Sequence, residues 1–414
     1  MKLLILGIIS IGLLLAITHA NAQSEATDTW WRVQSVDTMK FSRDLAREKL
    51  SDYSYDKEID AQVKRIADTG ATHVAIGTPY DKEFIPYLKR WVEAARRHNL
   101  NVWFRGNFSG WEGWFDYNKI SREQHLEMTE QFIKDNQSLF ADGDIFTACP
   151  ECENGGPGDP RQTGDVEGFR EFLVALKETQ VKTFSSYGKR IETGYFSMNG
   201  DVAKLIMDKD TTKKLGGLVT IDHYVEDPED LAIDIAEYIE ISGGKVVLGE
   251  YGAPIGDIHG DMTEDEQAAW VKESLKLISE IDEVVGVNYW ANQGSSTAIW
   301  NDNGTSRKAV DILHAFYSPL VISTTVENEI GQPILNASFS LGGFNYFTDK
   351  EGKVTIKYIE SDLTQNQKTL TVNALGYNPL IIKVDANQAV YEKLILEKTN
   401  ESILFKIRKF LKNL

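Results

Sequence analysis

The chain has 414 residues, of which 42% are hydrophobic and 26% charged, and its formal net charge is −18. These proportions are typical of a globular protein and exclude a disordered or collagen-like chain. An evenly acidic surface repels phosphate backbones, so we exclude nucleic-acid binding as a main role.

The first 22 residues are typical of a secretory signal peptide. Lys2 precedes an apolar run over residues 3–17, and Ala20-Asn21-Ala22 offers a cleavage site of the small-x-small type. This run is too short for a membrane-spanning helix, and no later stretch of about 18 apolar residues occurs. We therefore predict a signal peptide over 1–22 and a secreted, extracellular protein.

Short β-branched or aromatic runs alternate with amphipathic helical patterns over residues 30–318. Ser121 and Thr263 each begin a capping box, which predicts a helix start. The strand candidates are 31–36, 73–77, 101–106, 144–149, 191–196, 218–223, 245–249 and 284–290. Eight strand-then-helix units predict an α/β fold of the (β/α)8 (TIM) barrel type over 30–318. A doubly wound sheet is the alternative, but no Gly-x-Gly-x-x-Gly or Walker-type loop follows a strand.

A different pattern begins after Ser318-Pro319. Residues 320–397 alternate apolar and polar with a period of two between frequent turn residues, which predicts a small all-β sandwich. The segments 326–334, 348–354 and 370–377 resemble the carboxypeptidase-regulatory-like (transthyretin-like) module. This resemblance implies an accessory sandwich of seven strands with no catalytic residues of its own.

The segment 399–414 is a basic amphipathic tail. Four basic residues, Lys406, Arg408, Lys409 and Lys412, surround an apolar helical face, and the segment from 403 onward has no acidic residue. The apolar positions are Ile403, Leu404, Ile407, Phe410, Leu411 and Leu414. One prediction is a helix docked on the sandwich. The other is an interfacial helix that makes weak peripheral contact with an anionic membrane or cell surface.

In a (β/α)8 barrel the active site lies at the C-terminal ends of the strands. Carboxylates, amides and aromatic rings dominate these positions in the chain. The candidates are Arg105, Asn107, Trp111, Trp114, Glu151, Glu153, Asn154, His223, Tyr224, Glu250, Tyr251 and Trp290. The strand ends carry no His-x-His pair, no His-Glu-x-x-His motif and no lysine, which argues against metal-dependent hydrolases and Schiff-base aldolases. We therefore predict no metal and no cofactor.

Two carboxyl groups among aromatic rings are the equipment of glycoside hydrolysis. The hydrophobic strand that leads into Glu250-Tyr251-Gly252 resembles the nucleophile segment of clan A glycoside hydrolases, retaining enzymes whose acid/base glutamate ends strand four. The resemblance implies that Glu250 is the nucleophile and that His223 and Tyr224 orient it. It also implies that Trp290 forms the floor of a sugar subsite.

The acid/base position departs from the clan pattern. An asparagine that binds the sugar 2-hydroxyl normally precedes the acid/base, whereas Pro150 precedes Glu151 and Cys152 precedes Glu153. The run Pro-Glu-Cys-Glu-Asn resembles Asn-Glu-Pro-x-Asn with the asparagine lost. This favours Glu151 as the acid/base, with Glu153 as the alternative, and it favours a divergent family over the best-known cellulases.

Several of these residues have structural alternatives. Arg105 fits a structural ion pair nearly as well as a substrate contact, and His223 fits a core position. Trp111 and Trp114 could anchor a loop, but we expect two tryptophans among glycines to line a cleft. Cys149-x-x-Cys152 can be a redox pair, but after export a small-loop disulfide is expected.

The sequence therefore predicts a secreted retaining glycoside hydrolase that cleaves β-linked polysaccharide or oligosaccharide by double displacement. For that mechanism, the carboxyl groups of Glu151 and Glu250 must lie about 5–5.5 Å apart. The alternative is a catalytically inactive barrel that binds glycans and carries an adhesive sandwich.

Overall fold

A computed structural model of the chain describes residues 29–341, 344–359, 369–384 and 390–399. The predicted signal peptide and residues 400–414 of the basic tail lie outside these ranges. Within the described ranges, no helix has the length and apolar character needed to cross a membrane.

Eight parallel strands form one curled sheet. Their bounds are β1 Val33–Asp37, β2 His73–Ile76, β3 Asn101–Phe104, β4 Ile145–Phe146, β5 Ser197–Asn199, β6 Leu218–Asp222, β7 Lys245–Tyr251 and β8 Val284–Tyr289. The order β4-β3-β2-β1-β8-β7-β6-β5 is a cylinder opened between β4 and β5. A parallel bridge between Ile145 and Glu192 joins these two edges. This is the architecture of a (β/α)8 barrel.

The fifth strand begins later than the sequence predicts. Residues 191–196 were expected to form it, but regular pairing with β6 starts at Ser197. Gly194 has a φ of +90°, which bends the backbone out of the extended conformation. The segment before β5 therefore contributes only the bridge at Glu192.

Helices follow each strand of the barrel or lie within the loops that connect the strands. Their bounds are α1 Met39–Ser42, α2 Ala46–Lys49, α3 Asp56–Ala67, α4 Ile85–Arg97, α5 Ser109–Glu112, α6 Arg122–Asp135, α7 Pro160–Thr163, α8 Val166–Ser186, α9 Gly200–Ile206, α10 Lys209–Lys214, α11 Pro228–Ser242, α12 Gly256–His259, α13 Glu264–Ser279 and α14 Lys308–Tyr317. Short 3-10 helices lie at Tyr53–Tyr55, Lys82–Phe84, Trp114–Asp116 and Gln137–Leu139. The capping boxes predicted at Ser121 and Thr263 are confirmed, and they begin α6 and α13.

The inside of the barrel is filled below the strand ends. A cluster of side chains separate from the helix-facing core occupies it: Val33, Ala75, Trp103, Ile145, Tyr195 and Val247. The guanidinium carbon of Arg105 lies 5.5 Å from the centre of the Trp103 ring. The apolar cluster therefore forms a floor on which polar groups at the C-terminal strand ends rest.

Two further sheets follow the barrel, as the alternating pattern of residues 320–397 predicts. Their strands are β9 Leu320–Asn328, β10 Ser338–Leu341, β11 Phe344–Phe347, β12 Lys353–Tyr358, β13 Thr369–Asn373, β14 Leu380–Lys383 and β15 Val390–Leu396. One sheet has the order β11-β10-β13-β14 and the other β12-β9-β15. Buried residues from both sheets, such as Val326, Phe339 and Val372, form one core.

The sandwich packs on the end of the barrel where the strands begin. Trp30, which precedes β1, lies 5.8 Å from Phe344 of the sandwich and 5.4 Å from Phe316 of α14, measured between ring centres. Lys357 donates a hydrogen bond to the carbonyl oxygen of Thr29. The sandwich is therefore at the opposite end of the barrel from the strand ends that carry the candidate site.

Candidate active site

A β-bulge in β7 sets the direction of Glu250. Ile221 of β6 pairs with Leu248, but the next residue, Asp222, pairs with Glu250, so Gly249 is an extra residue in the ladder. A Cβ atom at Gly249 would lie 2.4 Å from Asp222 Oδ1. Only glycine therefore lets the two strands approach here, and the bulge turns Glu250 into the mouth of the barrel.

Arg105 is the central cation of the site and is 1% exposed. Its Nη1 donates to Asp37 Oδ2 at 2.9 Å and to the Gly249 carbonyl at 2.7 Å. Its Nη2 donates to Glu250 Oε1 at 3.1 Å and to Asp222 Oδ2 at 3.3 Å. A buried charge is stable only when it is paired, and here one guanidinium joins the ends of β1, β6 and β7. Arg105 thus forms the ion pair that the sequence leaves open, and it positions Glu250.

Tyr224 holds the other oxygen of Glu250. Its hydroxyl donates to Glu250 Oε2 at 2.9 Å, and its ring stands edge-on to Trp290 with 6.3 Å between centres. His223 acts differently from the expectation, because its ring pairs with Asp234 Oδ2 at 2.8 Å. The backbone N–H of His223 donates to the Glu250 carbonyl at 2.9 Å, so His223 orients the Glu250 backbone and not its carboxylate.

Glu151 lies on the loop after β4, opposite Glu250. Its φ is +44°, a region that costs a residue with a side chain about 1–3 kcal/mol. A disulfide between Cys149 and Cys152, the form expected after export, closes the loop around it. Its N–H donates to the Ser197 carbonyl at 2.8 Å. One carboxylate oxygen each from Glu151, Asp222 and Glu250 lie within 4.8 Å of one another.

Glu153, the alternative acid/base, faces β5. Its Oε1 accepts from the backbone N–H of Asn199 at 2.7 Å and from Asn199 Nδ2 at 2.9 Å. The residue is 2% exposed. Its carboxylate thus fixes the end of β5 where α9 begins, and the geometry favours Glu151 as the group that meets a substrate.

Three carboxyl groups of the site have raised pKa values, because they are buried together around one guanidinium. Burial raises the pKa of Glu250 to about 7. The Glu151 charge also raises this pKa, whereas the Arg105 charge and the hydrogen bond from Tyr224 lower it. Burial, with the Glu153 charge, also raises the pKa of Glu151. Burial and Glu250 hold the pKa of Asp222 well above its ordinary range. Glu250 accepts hydrogen bonds from Arg105 and Tyr224, and both of these favour its ionised form.

Two aromatic candidates lie outside the mouth of the barrel. Trp111 is fully buried, stacks on Phe172 at 5.2 Å and donates its indole N–H to the Cys152 carbonyl at 3.1 Å. It therefore anchors the disulfide loop from behind and does not line a cleft, contrary to the expectation. Tyr251 is also fully buried, in the helix-facing core with Tyr289, because successive side chains of a strand point to opposite faces.

Asn107 and Asn154 support the loops around Glu151. Asn107 is fully buried, and its Nδ2 donates to Glu112 Oε1 at 3.1 Å while its Oδ1 hydrogen-bonds with His125 Nε2 at 2.9 Å. The backbone N–H of Asn154 donates to the Glu151 carbonyl at 2.8 Å, and the Asn154 side chain lowers the pKa of the Glu151 carboxyl group. Asn107 therefore has no group free for a sugar, whereas Asn154 lies beside the acid/base candidate.

Trp114 and Trp290 keep part of their surface exposed at the mouth of the barrel. The guanidinium carbon of Arg43 lies 4.6 Å from the centre of the Trp114 ring, and Lys40 Nζ lies 5.3 Å from the centre of the Trp290 ring. Each of these two half-buried tryptophans therefore has a cation over one face of its ring.

Three further acidic residues of the site, Asp37, Asp222 and Glu112, have no role predicted from the sequence. Asp37 and Asp222 are acidic residues at the last position of a barrel strand, so the rule that found Glu250 could have found them. Glu112 ends the short helix α5, and nothing in the local sequence marks it.

Among the described residues, the carboxylates of Glu151, Asp222 and Glu250 lie close enough together to hold a metal ion. Arg105 already supplies positive charge to two of them.

No protein-family model matches the chain, and no curated protein matches it. Among solved structures, a β-D-glucuronidase of Dictyoglomus thermophilum is 16% identical, with a TM-score of 0.46, over 70% of this chain and 50% of that chain. Bacteroides uniformis β-glucuronidase 2 is 10% identical, with a TM-score of 0.45, over 81% of this chain and 44% of that one. A GH5_18 protein of Bifidobacterium longum is 14% identical, with a TM-score of 0.48, over 70% of this chain and 83% of that chain. The chain thus spans about half the length of the two glucuronidases, and these identities are too low to transfer an activity.

Proposed function

We propose that the protein is a secreted, retaining glycoside hydrolase that cleaves β-glycosidic bonds in a polysaccharide or oligosaccharide. The observation that carries this proposal is the approach of Glu151 and Glu250, whose nearest carboxylate oxygens lie within 4.8 Å. Retaining enzymes place their two carboxyl groups about 5–5.5 Å apart, whereas inverting enzymes need about 6.5–9.5 Å to admit a water molecule. The short separation supports double displacement.

In the first step, Glu250 attacks the anomeric carbon and Glu151 gives its proton to the departing glycosidic oxygen. The bond from the anomeric carbon to that oxygen breaks, and an ester bond to Glu250 forms. Arg105 and Tyr224 hold one oxygen of Glu250 each, so these hydrogen bonds favour the ionised carboxylate and aim it before the substrate arrives. This fixed geometry lowers the entropic cost of reaching the transition state.

In the second step, Glu151 takes a proton from water, whose oxygen displaces Glu250 from the anomeric carbon. The same electrostatics support this change of role. Esterified Glu250 carries no charge, so the repulsion between the Glu151 and Glu250 carboxylates is lost, while Arg105 continues to lower the pKa of Glu151. Glu151 is therefore an acid in the free enzyme and a base in the covalent intermediate.

The remaining parts of the chain take accessory roles in this proposal. Residues 1–22 direct export, and the sandwich is the transthyretin-like module that its sequence resembles. For the basic tail over 399–414, both predictions stand: a helix docked on the sandwich, or a helix that makes weak contact with an anionic cell surface.

The test is hydrolysis of aryl β-glycosides by the wild type, Glu250→Gln and Glu151→Gln. We expect Glu250→Gln to abolish turnover, since the nucleophile is lost. Glu151→Gln should lower kcat/KM by about 10²–10⁴-fold for a poor leaving group, because general acid catalysis contributes that much. The loss should be much smaller for a nitrophenolate that leaves without a proton.

Glu127→Gln, on the exposed surface of α6, is the matched control and should keep wild-type activity. A wild type that binds oligosaccharides but hydrolyses no β-glycoside would replace the enzyme with the inactive glycan-binding barrel. Equal losses for both kinds of leaving group in Glu151→Gln would move the acid/base role to another residue.

A further inference from the structure

Two cations stand at the mouth of the barrel beside the catalytic pair. Lys40 lies in α1, and Arg43 directly follows that helix, so both project from the loop after β1, at the end of the barrel that carries the site. They are three residues apart, which places them on one side of the helical turn. Each lies over the ring of a half-buried tryptophan of the site, Lys40 over Trp290 and Arg43 over Trp114.

The two cations flank the reacting carboxylates. On one side, the Trp290 ring under Lys40 contacts Tyr224, which holds Glu250. On the other side, the Arg43 charge acts on Glu151 and on Glu112 and lowers the pKa of both groups. An anionic group bound between the cations would therefore lie next to the bond that the pair cleaves.

Both cations keep hydrogen-bonding capacity. Asp44 is their shared partner, with Arg43 Nε donating to Oδ1 at 2.8 Å and Lys40 Nζ lying 3.6 Å from Oδ2, beyond hydrogen-bond length. Within the described residues, no protein acceptor takes a hydrogen bond from Lys40 Nζ or from the terminal nitrogens of Arg43. The side chains are 30% and 23% exposed, so a ligand can reach them.

This arrangement suits an anionic sugar better than a neutral one. A neutral sugar stacks its C–H groups on an open aromatic face, but a cation already covers one face of each ring. The ring attracts and holds that cation, and the planar guanidinium fork matches a carboxylate. In a chain of net charge −18, a polyanion also needs a local positive patch to approach the site.

We propose that Lys40 and Arg43 form an anion-binding subsite and that the substrate is an acidic glycan whose sugars carry carboxylate groups. This inference rests on the proposed glycosidase activity and deepens it. Trp114 and Trp290 then serve as supports for the two cations as well as contacts for the sugar.

The experiment compares glycosides that differ in one group: the uronic acid, its methyl ester, the neutral sugar and an O-sulfated sugar, all with the same aryl leaving group and linkage. We expect wild-type kcat/KM for the acid to exceed that for its ester by about 10-fold or more, since hydrogen bonds to charged groups are stronger than those to neutral groups. Lys40→Met and Arg43→Gln should each bring the acid-to-ester ratio toward one. Lys64→Met and Arg190→Gln, exposed cations far from the site, should keep the wild-type ratio.

A second measurement needs no variant. KM of the wild type for the acid should rise several-fold from low to high salt, while KM for the ester should change little, because salt screens exposed charges. Equal use of acid and ester, or a preference for the sulfated sugar, would overturn the proposed carboxylate subsite and leave the glycosidase intact. Failure to cleave any of the four would overturn the glycosidase itself.

Discussion

One buried arginine decides the charge balance of the candidate site. Arg105 meets the carboxylates of Asp37, Asp222 and Glu250 at 2.9–3.3 Å, and the Glu151 charge also acts on it. A single positive charge cannot balance four ionised carboxylates in a buried pocket. Burial and repulsion between carboxylates raise the pKa values of Glu151, Asp222 and Glu250, and the proposed mechanism uses a proton on Glu151.

Glu112 provides a test of this electrostatic picture at one residue. Burial raises its pKa to about 8. The Glu151 charge also raises this pKa, whereas the Arg43 charge and the hydrogen bond from Asn107 lower it. A raised pKa means that the folded state binds the proton more tightly than the unfolded state. The stabilisation is complete below the ordinary pKa of glutamate and is lost as pH rises through about 8.

We therefore expect the free energy of unfolding of the wild type to fall between about pH 5 and pH 8.5. For Glu112→Gln, which cannot ionise at this position, the fall should be smaller by at least about 1 kcal/mol, since one pKa unit corresponds to about 1.4 kcal/mol. Urea unfolding at both pH values measures this difference. Glu127→Gln should follow the wild type. Parallel pH dependence of Glu112→Gln and the wild type would contradict a buried, protonated Glu112.

At the scale of elements, strand β7 and the loop after β4 each use glycine to bring a carboxylate into place. Gly249 forms the bulge before Glu250. In the β4 loop, a Cβ atom at Gly156 would lie 2.2 Å from the Trp111 indole, which packs behind the disulfide. Both elements are thus fitted to a neighbour that is distant in sequence.

Gly249→Ala tests the bulge. The new Cβ would lie 2.4 Å from Asp222 Oδ1 and 2.8 Å from Ser197 Cβ, so β7 must shift away from β6. Overpacking of this kind costs about 1–3 kcal/mol, and the displaced Glu250 should lower kcat by at least about 10-fold, because small misplacements are costly in catalysis. Activity assays and thermal unfolding measure the two effects.

Gly256→Ala is the matched control, because an added Cβ would meet no atom within 4 Å there. It should leave stability and kcat close to those of the wild type. A Gly249→Ala protein with wild-type kcat would show that the bulge does not set the position of Glu250.

At the scale of the whole molecule, the candidate active site and the sandwich lie at opposite ends of the barrel. The reacting groups lie at the C-terminal ends of the strands, while Trp30, Phe316 and Phe344 join the sandwich to the other end. Sandwich residues therefore do not reach the carboxylates in the described part of the chain.

Truncation after Ser318 tests this separation. We expect kcat/KM on a small aryl glycoside to stay within a few-fold of the wild type, because every described contact of Glu151 and Glu250 lies in the barrel. The thermal midpoint should fall, since Trp30 loses its contact with Phe344 and apolar surface becomes exposed. A truncated protein that is folded yet inactive would show that the sandwich completes the site.

The sequence by itself determined the parts that depend on local periodicity. Alternating strand and helix patterns predicted seven of the eight strands in place, whereas the fifth was expected just before its observed position. The capping boxes at Ser121 and Thr263 predicted two helix starts. The strand-end rule located Glu250 and Tyr224, because side chains at the C-terminal ends of parallel strands meet in one place. The position of a residue at the end of a predicted strand is therefore enough to place it near the site.

Only the tertiary structure decided which neighbouring side chain enters the site. Tyr251 and Trp111 satisfy the same sequence rule as Glu250 and Trp114 but point into the core. The partners of Arg105 come from strands far apart in the chain, so no local pattern reveals them. The physical reason is that successive side chains of a strand alternate between its faces, and a single extra residue such as Gly249 reverses the assignment.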